Sequence, residues 1–356
     1  MKILLDDGMQ INKGTGIGKY SESLFFALKE SEYVVVELLD APKRLGLEEI
    51  SRALYLKYIN SIDFLNLTNE FDLVIFTNYV MPMRKLGCTT AVVVHDLVAF
   101  DLPDTLPLAY CIYNRLAIKH AMRNSDYVFT VSNDMALRMS KRFKNTHAGI
   151  IAAWPGLVGN IHPVDSCENY EDEHLGSQVG NKFFLFVSTV EKRKNVEQVI
   201  RAFAKLIKTE AMAADYKLVL AGRPGFGYSD ILTLTRSYDI SDRVVFTGYV
   251  SNSDCNLLYN NANAFVFPTS YEGFGFAQLE CMACHTPIIL SDIPVNREIS
   301  RDYGIYFDLT SDDSLVEQMK KVVTGEIDYS HLSALADEYL QDFSWDELAK
   351  KYVEII

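Results

Sequence analysis

Two glutamates in the second half of the chain flank a loop suited to binding an anion. Glu272 and Glu280 are eight residues apart, and Gly273 and Gly275 lie between them. Glycines let a phosphate approach the backbone, and the free N–H groups of a helix N-terminus attract negative charge. Carboxylates beside such a loop can accept hydrogen bonds from sugar or ribose hydroxyls. The alternative interpretation is an ordinary strand–helix connection with solvated acids.

A run of three cations is the second candidate. Lys192, Arg193 and Lys194 follow a predicted strand, and a predicted helix begins at Asn195. Such cations suit a diphosphate, because arginine binds phosphate with two parallel hydrogen bonds and lysine acts as a point charge. A basic turn on the surface is the alternative.

Two further candidates lie in the first half. Gly14, Gly16 and Gly18 follow the first predicted strand, but Lys19 occupies the last position of G-x-G-x-x-G, which argues against a dinucleotide fingerprint. His95 follows another predicted strand. A histidine at the carboxyl end of a strand can face a ligand, although a structural role is the alternative.

The elements that must position these residues alternate between strands and helices. Short β-branched or aromatic runs predict strands, and amphipathic stretches between them predict helices at 18–30, 109–123 and 195–208. Parallel strands joined by right-handed crossovers predict two doubly wound α/β domains facing across a cleft. The predicted strands cover residues 2–5, 34–39, 73–76, 91–94, 127–131, 183–187, 217–221, 244–246, 264–267, 287–290 and 304–307.

The predicted domains are 1–165 and 182–335, followed by a helical segment over 336–356. Residues 165–181 carry five acids, no Lys or Arg and no apolar period, so we predict an interdomain linker there. The 356 residues are about right for two domains.

Composition excludes several classes of protein. The formal charge is −13, which disfavours a general nucleic-acid binder. No apolar stretch approaches the ~20 residues of a membrane span, and acids at positions 6 and 7 argue against a signal peptide. Six cysteines without a regular framework fit a reducing cytoplasm. Residues 281–285 spell the haem-attachment motif C-x-x-C-H, but buried small residues on a helix are the better interpretation.

The segment FPTSYEGFGFAQLECMACHTP resembles the E-x7-E motif of family-4 glycosyltransferases, which have the GT-B fold of two Rossmann-like domains. The resemblance implies that Glu272 contacts the donor sugar and that Glu280 holds the nucleotide ribose. It implies donor contacts from the backbone of Gly273, Phe274 and Gly275. Ala277 and Gln278 replace the Pro-Val that the family often has, and His285 replaces a glycine.

Other segments extend the resemblance over nearly the whole chain. FVSTVEKRKN is similar to the family's GTxEPRKN, in which the Arg-Lys pair, here Arg193 and Lys194, neutralises the donor diphosphate. GTGIGKY resembles GGIGRY, which makes Gly16 and Gly18 donor-side candidates. The stretch from His95 to Ser132 resembles the family's HDL…VS stretch, so His95 is expected near the donor sugar, with Ser132 as a weaker donor-site candidate. FSWDELAKKYVEII resembles the family's last helix, which crosses back onto the first domain, with Trp345 as a packing residue.

The resemblance implies a retaining hexosyltransferase that uses a nucleotide-diphosphate sugar in surface polysaccharide synthesis. Similarity to mannosyltransferases and rhamnosyltransferases favours GDP-mannose, with a UDP-sugar still open. The acceptor is expected to be a saccharide or a lipid-linked saccharide. No D-x-D occurs, so we expect no metal and no cofactor. A sugar-nucleotide 2-epimerase and a non-catalytic glycosyltransferase subunit are the alternatives.

Basic residues on the helices near 114–123 and 138–144 have two interpretations. They are either solvated helix faces or a surface that touches anionic lipid. The expected location is the cytoplasm. The second interpretation would place the protein at the inner face of the membrane. The residues are Arg115, Lys119, His120, Arg123, Arg138, Lys141, Arg142 and Lys144.

Overall fold

The computed structural model describes residues 1–6, 15–32, 34–47, 50–144, 146–164 and 170–356. They form two compact units. The first comprises Met1–Val158 together with Phe343–Ile356, and the second comprises Gly159–Asp342. Candidate Gly14 and the start of the predicted linker lie outside the described residues.

The first unit contains a six-stranded parallel sheet in the order β2-β1-β3-β4-β5-β6. The chain adds β2 on one side of β1 and β3 on the other, so the strand order reverses between β1 and β3. The carboxyl ends of strands at such a switch point commonly line a ligand site. The central strands are buried over nearly their whole length, because helices cover both faces of a parallel sheet. The strands are β1 (Lys2–Asp6), β2 (Val35–Leu39), β3 (Leu73–Phe76), β4 (Thr89–Val94), β5 (Tyr127–Thr130) and β6 (Gly149–Ala152).

Helices connect these strands, and several begin at a serine or threonine cap. Thr15 caps the first helix by accepting a hydrogen bond from Gly18 N, and Ser132 caps the helix that begins at Asn133 in the same way. The helices are α1 (Gly16–Glu30), α2 (Ala41–Arg44), α3 (Arg52–Ile59), α4 (Ile62–Thr68), α5 (Val98–Asp101), α6 (Leu108–Asn124) and α7 (Asn133–Arg142), with a 3-10 turn at Pro103–Thr105.

The second unit contains another six-stranded parallel sheet, in the order β12-β11-β10-β7-β8-β9. Here the strand order reverses between β7 and β10, which are hydrogen-bonded parallel neighbours. The strands are β7 (Phe183–Val187), β8 (Lys217–Ala221), β9 (Val244–Gly248), β10 (Ala264–Phe267), β11 (Ile288–Ser291) and β12 (Gly304–Phe307).

The helices of the second unit cover that sheet. The most amphipathic, Val196–Thr209, buries eight of its residues. The helices are α8 (Glu173–Val179), α9 (Val196–Thr209), α10 (Tyr228–Ser237), α11 (Asn252–Asn261), α12 (Phe276–Ala283), α13 (Pro294–Ser300), α14 (Asp312–Val323) and α15 (Tyr329–Tyr339), with 3-10 turns at Lys192–Lys194, Ala211–Ala213, Arg301–Tyr303 and Leu340–Asp342.

The C-terminal helix α16 (Trp345–Val353) belongs to the first unit, where it packs on α1. The ring of Tyr352 stacks on Phe129, with centroids 3.8 Å apart, and the Tyr352 hydroxyl lies 3.2 Å from that of Tyr20. Trp345 Nε1 donates to Leu157 O at 2.7 Å. Trp345 is therefore a packing residue within this unit.

The structure confirms the α/β class and corrects two local predictions. Strand β6 was not predicted, because four residues at the end of a polar stretch give a weak apolar signal. Helix α8 lies inside the predicted linker: Asp172 caps it, and Leu175 and Val179, one turn apart, are buried. The second unit begins at Gly159, ahead of the predicted start at 182. In the described part of the chain, no helix is long and apolar enough to span a membrane.

Candidate active site

A buried ion pair joins the two strongest sequence candidates of the second unit. Lys194 Nζ lies 2.5 Å from Glu272 Oε1, and the two side chains are only 10% and 11% exposed. Lys194 follows β7 and Glu272 follows β10, so the pair sits at the carboxyl edge of the two strands that form the switch point. The Lys194 ammonium also lies 5.5 Å from the centre of the Phe267 ring.

All three cations of the 192–194 turn have a carboxylate partner. Lys192 pairs with Asp230 at 2.6 Å, where both side chains are exposed. Arg193 pairs with Glu191 at 2.7 Å, where both side chains are largely covered. With the Lys194 pair, the turn is electrically balanced without a ligand. A diphosphate entering here must share or replace carboxylates that already satisfy the cations.

The backbone around this turn is held by a neighbouring glycine-rich loop. Val190 N donates to Arg223 O at 3.0 Å, and Gly225 N donates to Val190 O at 3.0 Å. Gly222 has φ +148°, and a Cβ there would lie 1.8 Å from Ser188 O, so no larger residue fits. The loop after β8 thereby fixes the course of the loop that carries the cations.

Glycine also shapes the loop between the two glutamates. Gly275 has φ +90° and immediately precedes α12, and a Cβ there would lie 2.4 Å from Gln278 Nε2. The left-handed conformation turns the chain sharply into the helix, whose N-terminus carries a partial positive charge. The loop therefore places Glu272 and the helix N-terminus on one short segment.

A fully buried amide braces this loop. Gln278 Nε2 donates to Asn296 Oδ1 at 2.9 Å and to Phe274 O at 3.3 Å, and its Oε1 accepts from Ser300 Oγ at 2.8 Å. Asn296 in turn donates to Ser291 O at 2.9 Å. Each of these contacts pairs buried polar atoms, so the network rigidifies the segment between the glutamates.

Glu280 lies about one turn inside α12 and is 7% exposed. Its Oε2 accepts a hydrogen bond from the hydroxyl of the fully buried Tyr259 at 2.6 Å. Burial and the nearby Glu280 carboxylate raise the pKa of Tyr259 well above its usual value, so the tyrosine stays a donor. Tyr259 thus fixes the orientation of this carboxylate.

His95 occupies the corresponding edge of the first unit, after β4. Its Nε2 lies 2.8 Å from Thr77 O, and its ring contacts that of Tyr20 edge-on, with centroids 4.9 Å apart. Burial lowers the pKa of His95. Because a carbonyl oxygen only accepts, Nε2 carries the proton, and the neutral ring presents Nδ1 as an acceptor. Such a ring can hold a hydroxyl in place.

The other first-unit candidates have structural positions of their own. Gly16 is exposed at the start of α1, and Gly18, in its first turn, is buried. Ser132 is fully buried, and its hydroxyl accepts from Met135 N at 3.2 Å as the cap of α7. The structure thus places Gly16, Gly18, His95 and Ser132 in the first unit, and Arg193, Lys194, Glu272, Gly273, Phe274, Gly275 and Glu280 in the second.

The cysteines of the C-x-x-C-H sequence face the interior. Cys281 is inaccessible and Cys284 is 7% exposed. Burial raises the pKa of both thiols, that of Cys284 to about 12. Since the thiolate is the reactive form, these cysteines are inert packing residues.

Comparison with known proteins identifies the family to which the second unit belongs. Residues 169–338 match the family model of the glycosyl transferases group 1. This segment belongs to the group 1 glycosyl transferases. The family predicted from the E-x7-E segment is therefore confirmed.

Relatives of this chain include two bacterial mannosyltransferases. The O-antigen chain mannosyltransferase B of Escherichia coli is 25% identical over 272 residues, 76% of this chain and 66% of that protein. The O-antigen chain mannosyltransferase RfbU of Salmonella typhimurium is 26% identical over 250 residues, 67% of this chain and 65% of that protein. The matched segments thus span just under two thirds of these relatives.

A solved structure confirms the GT-B fold. HepE from Anabaena, in complex with UDP and glucose, has a TM-score of 0.74 and 16% identity, and the match covers 100% of both chains. At this identity the likeness establishes the fold alone.

The structure explains one departure of the matched segment from the family pattern. His285 stands where the family often has glycine, and it adopts φ +56° just after α12. That left-handed position favours glycine, and histidine is among the few other residues found there. His285 Nε2 lies 3.0 Å from Asp337 Oδ1. The substitution therefore affects the end of α12 and leaves Glu272 and Glu280 unchanged.

Sequence reasoning missed the residues that position the site. Tyr259 lies thirteen positions before Glu272, and nothing in its neighbours marks it as a partner of Glu280. Gln278 appeared only as a departure from the family. The glycine-rich GRPGFG segment after β8 was a usable signal, because glycines after a buried strand often mark a close backbone approach.

Proposed function

We propose that this protein is a retaining glycosyltransferase. It moves a hexosyl group from a nucleotide-diphosphate sugar to a saccharide or lipid-linked acceptor during surface polysaccharide synthesis. The observation that carries the proposal is the buried pair of Lys194 and Glu272 at the switch point of the second sheet. A covered ammonium beside a carboxylate and a helix N-terminus offers one group for phosphate and one for sugar hydroxyls.

The proposed mechanism follows the movement of charge. When the bond between the sugar and the diphosphate breaks, negative charge grows on the leaving phosphate and the sugar becomes oxocarbenium-like. Lys194 and Arg193 stabilise the phosphate, and groups already in place lower the barrier most. Glu272 holds sugar hydroxyls, while Glu280, oriented by Tyr259, holds the ribose. Neutral His95 is assigned to the donor sugar by the family resemblance alone.

The proposed donor is GDP-mannose. Two O-antigen mannosyltransferases among the relatives support mannose. The guanine base of this donor is argued only from the family resemblance. HepE, which shares the fold, was crystallised with UDP and glucose. Any donor test must therefore include both nucleotide bases and both sugars.

We also propose that the reaction needs no metal or other cofactor, because Arg193 and Lys194 supply the positive charge beside the diphosphate. The proposed location is the cytoplasm, at the inner face of the membrane, where lipid-linked acceptors are glycosylated. Transfer in the presence of a chelator tests the first of these statements.

The deciding experiment measures binding and turnover of GDP-mannose, GDP-glucose, UDP-glucose and UDP-N-acetylglucosamine, each with and without EDTA. We expect one donor to bind best, EDTA to have no effect, and Glu272→Gln to lower turnover at least 100-fold. Glu317→Gln, an exposed glutamate of the same unit, is the matched control. Conversion of a donor to its epimer without acceptor would favour the epimerase, and failure to bind any donor would favour the non-catalytic subunit.

A further inference from the structure

Helix α6 presents a row of aliphatic side chains to solvent. Leu108, Ile112 and Leu116 are 76%, 49% and 62% exposed and follow one another at intervals of four residues. Residues at this spacing share one helix face. The opposite face, with Cys111, Ile118 and others, is buried in the unit. Helix α6 is therefore apolar on both faces, although only one of them is covered by described residues.

Cations extend this row toward the end of the helix. Lys119 and Arg123 are exposed on the same side, three and seven residues beyond Leu116. A neighbouring loop adds to them, because His120 Nε2 lies 2.8 Å from Pro82 O. The next three residues of that loop, Met83, Arg84 and Lys85, are exposed, Met83 by 72%.

The charge of this region is opposite to that of the whole chain. Segments 79–90 and 107–124 contain five Lys or Arg and no Asp or Glu, whereas the formal net charge is −13. Arg115 turns inward and donates to Ala99 O at 2.7 Å. The other four cations, Arg84, Lys85, Lys119 and Arg123, are exposed and form no ion pair with any described residue.

The structure also separates this region from the neighbouring basic helix. On α7, Arg138 pairs with Asp134 at 2.7 Å, and Arg142 pairs with Asp101 at 2.5 Å. The charges of these two arginines are compensated within the unit, whereas Lys141 of the same helix is exposed and has no acidic partner among the described residues. Of the basic positions noted in the sequence, Lys119 and Arg123 are those that combine exposure, lack of a described acidic partner and an adjoining apolar row.

We propose that this α6 face, formed by Leu108, Ile112, Leu116, Met83 and the four cations around them, docks on a membrane surface rich in anionic lipid. The aliphatic side chains enter the boundary between headgroups and acyl chains, and the cations neutralise lipid phosphates. The combination of an exposed aliphatic row with four cations that have no described acidic partner matches the apolar and anionic parts of such a lipid surface, which favours lipid over a protein partner. The inference extends the proposed lipid-linked acceptor, but docking itself involves no sugar transfer.

The test is co-sedimentation of the full chain with vesicles of pure phosphatidylcholine, or of phosphatidylcholine and phosphatidylglycerol at a ratio of 7:3. We expect at least ten-fold tighter binding to the anionic vesicles, weakened by 500 mM NaCl because salt screens the attraction. We expect Ile112→Ser/Leu116→Ser to lower anionic binding at least ten-fold, and Lys119→Glu/Arg123→Glu to abolish it.

Two matched controls separate the face from general surface properties. Met212→Ser removes an apolar side chain that is 60% exposed in the second unit, and it should bind vesicles like the wild type. Lys29→Glu/Lys57→Glu makes the same change in net charge at other exposed positions of the first unit, and it should retain most binding. All variants should keep wild-type melting curves and donor hydrolysis in solution, so a failed docking test leaves the transferase proposal intact.

Three results would overturn the proposal. The first is wild-type binding by Ile112→Ser/Leu116→Ser. The second is equal, salt-insensitive binding to both kinds of vesicle. The third is absence of vesicle binding together with a dimer, seen by light scattering, that the same substitutions dissociate, because the α6 face would then be covered by a second copy of the chain.

Discussion

Breaking the Lys194–Glu272 pair is expected to destabilise the second unit strongly. Lys194→Met leaves the Glu272 carboxylate covered and without its ammonium partner. Glu272→Met leaves the Lys194 ammonium covered and without its carboxylate partner. Removing one member of a buried ion pair costs about 3–5 kcal/mol. Both side chains are about a tenth exposed, so we expect the lower end, about 3 kcal/mol for each single variant.

The double variant distinguishes a buried pair from two independent contributions. Replacing both members by apolar residues removes the uncompensated charge, so Lys194→Met/Glu272→Met should cost only about 1 kcal/mol. Independent contributions would instead sum to about 6 kcal/mol. All three variants should be inactive in transfer, because the charge that stabilises the leaving phosphate is lost or misplaced.

Urea unfolding followed by far-UV circular dichroism measures these differences. Both tryptophans, Trp154 and Trp345, lie in the first unit, so their fluorescence serves as a separate probe of that unit and should change little. Lys205→Met is the matched control, because Lys205 pairs with Asp313 on the surface of the second unit, where the side chains are 50% and 74% exposed. Exposed pairs contribute no more than about 1 kcal/mol.

The reasoning would be refuted by either of two outcomes. The first is a loss of unfolding free energy for Lys194→Met no larger than that for Lys205→Met, which would mean that water screens the pair as it screens a surface pair. The second is a loss for the double variant equal to the sum of the single variants, which would mean that Lys194 and Glu272 stabilise the unit separately.

Three further predictions test individual positions. Tyr259→Phe removes a hydrogen bond to the Glu280 carboxylate worth about 1.5–3 kcal/mol, so calorimetry should show nucleotide affinity reduced at least ten-fold; unchanged affinity would contradict the assigned role. His285→Gly relieves a left-handed conformation, and should raise the free energy of unfolding by about 0.5–1 kcal/mol after loss of the partly exposed Asp337 contact, whereas a net loss would argue against strain. Burial lowers the pKa of His95 in the folded chain. The free energy of unfolding that His95 contributes is therefore complete above its unfolded pKa of about 6.5, and it is lost as pH falls through the folded pKa. Unfolding detected by tryptophan fluorescence should show a larger decrease in unfolding free energy between about pH 7.5 and 5.5 for the wild type than for His95→Asn.

Local patterns were sufficient to predict most of the strands and to mark the candidate site residues. Short β-branched and aromatic runs such as 73–76 and 183–187 are buried strands, because parallel strands covered on both faces must be apolar throughout. The glycines and glutamates of the 272–280 segment stand within nine residues of one another, and the cations of the 192–194 turn are consecutive. Such signals are visible in the sequence because they are contiguous.

Contacts between distant segments were decided only by the tertiary structure. Lys194 and Glu272 are 78 residues apart, and pairing of β7 with β10 brings them together. The sequence assigned them to phosphate and sugar separately, and only the fold shows that each neutralises the other. Likewise, the same basic pattern covers α6 and α7, but acids from α5 and α7 pair with Arg138 and Arg142 of the second helix, whereas Lys119 and Arg123 of the first have no acidic partner among the described residues. Sequence spacing determines which groups a segment carries, whereas burial and pairing depend on residues that only the folded chain makes neighbours.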